Sequence, residues 1–133
     1  MRLLLDTHVW LWAAAQAAAL GRKTRAALVD QKNERLVSAT SVLEIARLSA
    51  GGQIILSTST QRWIDESTKD LMLGHLAVTT DVAIEAYSLP PPFHRDPADR
   101  LLVATARIHS LVLVTADERI LRYHSVRTMD CRR

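Results

Sequence analysis

The sequence predicts an α/β fold: three layers, α/β/α, around a central, mainly parallel sheet of four to five strands. Three observations predict it. Short apolar runs alternate with amphipathic stretches at helical spacing along the chain. The runs Leu3-Leu4-Leu5 and Leu111-Val112-Leu113-Val114 are apolar at every position, as in a sheet covered on both faces. No repeat or low-complexity linker interrupts the alternation, and strands separated by helices favour parallel pairing.

Each element has its own reason. Residues 2–5 form the first strand. A helix over residues 7–18 follows, rich in Ala, with Val9, Trp10 and Trp12 early in it, and Gly21 marks a break. Residues 24–30 read as a second helix and 35–38 as a short strand. Residues 40–48 form a helix with Val42, Ile45 and Leu48 on one side, stopped by Gly51-Gly52. Another helix over 60–72 puts Trp63, Ile64, Leu71 and Met72 near the core, and Leu76-Ala77-Val78 is a weak strand. A short helix spans 81–88. Pro90-Pro91-Pro92 forbids its continuation and opens a rigid connector. Pro97 favours a helix start, and that helix runs to Ile108. Residues 111–114 form a strand, a helix starts after Thr115, and residues 126–129 form an edge strand.

With 133 residues the chain reads as one domain over residues 1–133, the triple proline being a loop inside it. Hydrophobic residues at 48% and charged ones at 23% exclude a disordered chain. Asp6 and His8 interrupt the apolar start, so the N-terminus is too short and polar for a membrane span or signal segment. The lone Cys131 excludes a disulfide framework and fits a reducing cytoplasm. A net charge of +3 permits nucleic-acid binding without demonstrating it.

Four acids occupy similar places. Asp6 and Asp117 follow apolar strands; Glu44 and Asp99 lie in the first turns of helices. Ligands of an open parallel sheet bind beyond the carboxyl ends of its strands, where these acids gather. Helix capping explains several of them equally well. Ser41 with Glu44 and Thr115 with Glu118 spell capping boxes, and Asp96-Pro97 spells an N-cap with Asp99 at the third helical position. Asp6 is harder to explain so, because a carboxylate beside the core needs a partner. Convergence of all four requires a cation. Their oxygen ligands select Mg²⁺ or Mn²⁺, and such a site suits cleavage of a phosphodiester.

The segments LLLDTHVWLW, SATSVLEI, LPPPFHRDPADRLLVATA and LVLVTAD resemble, in order, those of a PIN domain, and most resemble the VapC class of bacterial ribonuclease toxins. The resemblance implies a parallel sheet between helices and an acid quartet that binds Mg²⁺ or Mn²⁺. It also implies cleavage of structured RNA such as tRNA or rRNA, homodimers, and a cognate VapB-like antitoxin inserting near the acids. Residue by residue, the quartet maps to Asp6, Glu44, Asp99 and Asp117, with Asp96, Thr7 and Thr115 as accessory positions. Leu43 and Ala98 stand where many relatives carry Trp and Phe, which bears on substrate contour and antitoxin fit.

His94, Arg95 and Arg100 flank the acids and are candidates to hold a phosphate, as is the small basic cluster of Arg22, Lys23 and Arg25. Arg100 fits neutralisation of Asp99 equally well. The three tryptophans read as core or subunit-interface residues. Setting the quartet aside leaves ten acids against 17 basic residues, an excess of seven on the rest of the chain. Two competing functions stand beside the nuclease. A PIN-like module that only binds RNA or protein is one. The other is a Mg²⁺-binding receiver domain, which needs a Lys beyond a late strand; no Lys follows Lys69.

Overall fold

A computed structural model describes residues 1–133. Five strands, β1 (Arg2–Leu5), β2 (Glu34–Ser38), β3 (Gly74–Leu76), β4 (Val112–Thr115) and β5 (Thr128–Asp130), form one sheet in the order β3-β2-β1-β4-β5. Every neighbouring pair is parallel. The chain builds outward from β1 to β3 on one side, then returns to lay β4 and β5 on the other. The order therefore reverses at β1/β4, and a crevice opens beyond the carboxyl ends of those two strands.

Period-two geometry divides the apolar strand residues between two cores. Leu3 and Leu5 of β1, with Val112 and Val114 of β4, face a cluster containing Val9, Trp10, Ile45, Trp63 and Ile64. These come from α1 (Thr7–Ala15), α3 (Ala39–Ala50) and α4 (Thr60–Asp70). Leu4, Leu36 and Leu113 face the opposite cluster, with Leu102, Val103 and Ala106 of α6 (Pro97–Ile108) and Ile120 of α7 (Glu118–Leu121). The three β1 leucines are at most 1% exposed. Burial of one such side chain contributes about 1.5–3 kcal/mol, so β1 anchors both layers at once. Trp10 is fully buried and its Nε1–H donates to Ser67 Oγ at 3.0 Å. The helix α5 (Thr80–Ala86) packs on α6 through Val82, Ala86 and Ala104.

Several expected boundaries move. The first helix ends at Ala15, and Ala17–Ala19 forms a separate 3₁₀ turn. This break returns Leu20 to the core at 3% exposure, and Gly21 N–H then donates to Cys131 C=O at 2.9 Å. The second helix, α2, begins earlier than expected and spans Arg22–Val29. The fourth ends at Asp70. Met72 adopts a positive φ of 54° and is 61% exposed, while Leu73 takes the core position expected of it. The third strand lies at Gly74–Leu76, earlier than expected, with Gly74 paired to Leu36. A Cβ on Gly74 would meet Leu36 Cδ2 at 2.7 Å, so the close pairing uses the missing side chain. The last strand is Thr128–Asp130, displaced from residues 126–129. Ile84, expected on the apolar side of its helix, is 62% exposed.

Candidate active site

Asp6 ends β1 and caps α1. Its Oδ1 accepts from the His8 and Val9 N–H groups at 2.9 and 3.1 Å. Its Oδ2 accepts from the hydroxyl of Thr115, the last residue of β4 and fully buried. Thr115 Oγ in turn accepts from Asp117 N–H at 3.0 Å. One hydroxyl thus ties together the acids at the two strand ends. Burial pushes the Asp6 carboxyl above its ordinary range, although the Thr115 bond and the two amides pull the other way.

Glu44 is placed differently from the expectation. Ser38, not Ser41, caps α3, accepting from Thr40 N–H at 2.9 Å. Glu44 consequently lies in the second turn, beyond reach of a capping box. Ser41 is fully buried and stands 3.0 Å from the Thr7 hydroxyl, which donates to Glu44 Oε1 at 2.7 Å. The Thr115–Glu118 box is also absent: Asp117 caps α7, accepting from Arg119 N–H at 2.8 Å. Thr115, which caps nothing, holds the carboxylate of Asp6, and Thr7 holds that of Glu44.

Asp96 does cap α6, with Pro97 at its first position, and accepts from Asp99 N–H at 3.1 Å. Asp99 lies 2.6 Å from His94 Nε2 and 3.5 Å from Arg119 Nη2. Burial raises the Asp99 carboxyl. His94 opposes the rise, and the neighbouring charges of Asp96 and Asp117 add to it. Burial also pushes Asp117 up, but the side-chain and backbone hydrogen bonds from Arg119 outweigh it and hold Asp117 below the usual range. Arg119 Nη2 lies 3.1 Å from Asp117 Oδ2, so this guanidinium spans the two acids.

Asp6, Glu44, Asp96, Asp99 and Asp117 line one cavity of about 370 Å³ at the β1/β4 crevice, together with Thr7, His8 and Trp12. The four acids of the quartet thus share one cavity, with Asp96 beside them. As the side chains stand, no three of the carboxylates form a group that could hold a metal ion. Their chemistry nevertheless fits a hard divalent cation: the donors are all oxygens, and Asp6, Glu44 and Asp96 have no salt-bridge partner.

Other candidates lie elsewhere. Arg100 neither neutralises Asp99 nor faces the cavity. Its guanidinium sits over Tyr87 at 5.1 Å and near Phe93 at 5.8 Å, and it donates to His94 C=O. The attraction of two aromatic faces explains the departure. Arg95 is exposed and does not line the cavity. Arg22, Lys23 and Arg25 are exposed on α2, outside the cavity wall. Trp10 and Trp63 are core residues as expected, whereas Trp12 is half-buried beside His8 at the cavity, their rings 5.9 Å apart. Nothing in the sequence pattern singles out Arg119 as a residue of the cavity, beyond its place in the first turn after the capping Asp117.

The PIN domain family matches residues 3–125. Ribonuclease VapC22 of Mycobacterium tuberculosis is 36% identical over 122 residues, covering 92% of this chain and 91% of the relative. Among solved structures, VapBC-1 from nontypeable Haemophilus influenzae superposes with a TM-score of 0.68 at 15% identity, covering 100% of both chains. VapBC2 from Rickettsia felis, bound to a promoter DNA fragment, gives 0.66 at 15%, covering 97% of this chain and 98% of that one. FitAcB from Neisseria gonorrhoeae gives 0.62 at 20%, covering 96% of each. At these identities the structural likeness speaks to the fold alone.

Proposed function

The chain belongs to the PIN-domain family, and on that premise we propose that it is a divalent-metal-dependent endoribonuclease, the toxin of a type II toxin–antitoxin pair. It cleaves a structured RNA, of the tRNA or rRNA class, and so inhibits translation. The observation that carries the reading is the gathering of five carboxylates in one crevice, three of which, Asp6, Glu44 and Asp96, have no salt-bridge partner.

Asp6, Glu44, Asp99 and Asp117 would hold Mg²⁺ or Mn²⁺, with Asp96 at the rim. A bound divalent ion supplies Lewis acidity: it eases loss of a proton from water and offsets charge on the phosphate being cut. The remaining work belongs to the chain. Thr115 fixes Asp6, and Thr7 fixes Glu44. His94 Nε2 lies 2.6 Å from Asp99 Oδ2 and orients that carboxyl. Arg119 is about half exposed and presents a guanidinium at the cavity mouth, suited to bidentate contact with a phosphate. Water attacks phosphorus, the P–O bond to the leaving nucleoside breaks, and no covalent enzyme intermediate forms.

Relatives of this fold solved as VapBC complexes support a VapB-like antitoxin as partner. Its docking near the acids and a homodimeric toxin are what the family resemblance implies, and they belong to the same proposal. No helix is long and apolar enough to cross a membrane. Action in the cytoplasm is part of the same proposal. The test is incubation of purified protein with RNA, with Mg²⁺ or with EDTA, beside Asp6→Asn. Metal-dependent cutting by the wild type alone supports the reading. Equal cutting by both proteins, or none by either, refutes it.

A further inference from the structure

A second cavity of about 640 Å³ opens beside the acidic one, and Arg119 lines both. Its wall carries no carboxylate. Phe93, His94, Arg119, Arg122, Tyr123 and His124 line it, over an edge formed by Pro91 and Pro92. The volume lies within the roughly 300–1,000 Å³ of small-ligand cavities.

The cavity has a fixed frame. Tyr123 is 8% exposed, and its hydroxyl donates to Pro90 C=O at 2.6 Å, tying the proline segment to the end of α7. Phe93 packs on Tyr123 with ring centroids 4.6 Å apart and on His94 at 4.2 Å. Its cations face outward. Arg122 has no carboxylate partner; its Nε–H donates only to Glu118 C=O at 3.2 Å, and its terminal nitrogens donate to nothing in the chain. His124 is exposed beside it.

Resting on the nuclease reading, we infer that this cavity binds a single-stranded nucleotide of the RNA flanking the bond that is cut. Arg122 and His124 take a backbone phosphate, and the exposed Pro91 and Pro92, with the half-buried Phe93, take the face of a base. Unstacked bases against rings, with phosphates on cations, is the chemistry of single-stranded RNA recognition. The adjoining acidic cavity would repel a polyanion unless cations guided the strand in, and Arg119 stands on the boundary between the two. An acidic peptide would use the same cations, and the test below separates it from RNA.

The test is fluorescence anisotropy with a labelled single-stranded oligoribonucleotide of mixed sequence. It uses the full chain carrying Asp6→Asn, so that the probe stays intact. Adding Arg122→Ala and His124→Ala together weakens binding about tenfold. Loss of Arg122 lowers the slope of log affinity against log salt by about 0.7. Arg122→Lys restores the slope, which a loss of fold would not allow, and circular dichroism of each variant matches the parent. Unchanged affinity and slope overturn the inference. So does a result in which only inhibition by the antitoxin suffers, which makes the surface a protein contact. The binding assay does not depend on cutting. A wild type that leaves RNA whole in Mg²⁺, while Arg122→Ala still weakens binding, sinks the nuclease reading and supports the nucleotide site.

Discussion

The Thr115 hydroxyl donates to Asp6 Oδ2 across 109 residues of sequence, joining the ends of two neighbouring strands. It also accepts from Asp117 N–H, so its orientation is fixed from both sides.

Thr115→Val keeps the volume and removes both roles. It leaves Asp117 N–H unpaired and Asp6 less restrained, costing about 1–3 kcal/mol in urea denaturation. RNA cutting drops about 10- to 100-fold, as expected for a group that orients a ligand. Full activity with unchanged stability would contradict the arrangement.

Asp6→Asn separates stability from activity. Cutting falls by at least about a hundredfold. The metal-free protein becomes more stable at neutral pH, because a buried charge is removed while Asn still caps α1. The sign follows from the raised carboxyl. Below the unfolded value both states are protonated and the advantage vanishes. It grows as pH rises towards the raised native value, then levels off. Mg²⁺ raises the melting temperature of the wild type and leaves Asp6→Asn unmoved. Melting curves at several pH values, with and without Mg²⁺, check each point.

Arg119 already lies between Asp99 and Asp117, where an added cation would be drawn. Arg119→Gln therefore raises Mg²⁺ affinity by roughly two- to fivefold in calorimetry, a modest gain because the group is exposed. The same change weakens RNA binding. Lower Mg²⁺ affinity would show that Arg119 supports the ion instead of competing with it.

At β5, Arg132 hydrogen-bonds Asp130 and holds its carboxyl down to about 2. A lowered carboxyl contributes stability above its unfolded value near 3.8 and loses it as pH falls towards 2. Asp130→Asn is accordingly less stable than wild type at neutral pH, and the difference closes across that acid window. A gap that persists at pH 2 would assign the loss to packing.

Gly21 tests the closure of the sheet edge. A Cβ there would lie 2.0 Å from the backbone carbon of Arg133, whose carbonyl accepts from Thr24 N–H at 3.0 Å. Gly21→Ala pushes this segment off α2 and costs about 1–3 kcal/mol in urea denaturation.

The acids and the sheet were legible because local chemistry and tertiary role agree there. Leu3-Leu4-Leu5-Asp6 is strand, end and ligand candidate within four residues, and Asp96-Pro97 marks the start of α6. Glu44 misled, because Ser41 and Glu44 have capping spacing while the true cap, Ser38, lies three residues earlier. Only the pairing of Thr7 with Glu44, between segments far apart in sequence, decides between the two serines. Arg100 and Arg119 show the same limit. Each sits next to or near an acid in sequence; aromatic rings remote in sequence draw one away, while Asp99 and Asp117 hold the other. The edge strands shifted because three-residue ladders are set by their neighbours more than by their own composition.

The strand order has a consequence for synthesis. Because β1 is central and its partner β4 comes from residues 112–115, the first strand waits on the ribosome for nearly the whole chain before one of its edges is covered. At about 5–20 residues per second, that wait lasts several seconds or more. Thr115, Asp117 and Arg119 emerge last of the groups that shape the acidic crevice, so a chain that stops short of them lacks the finished site.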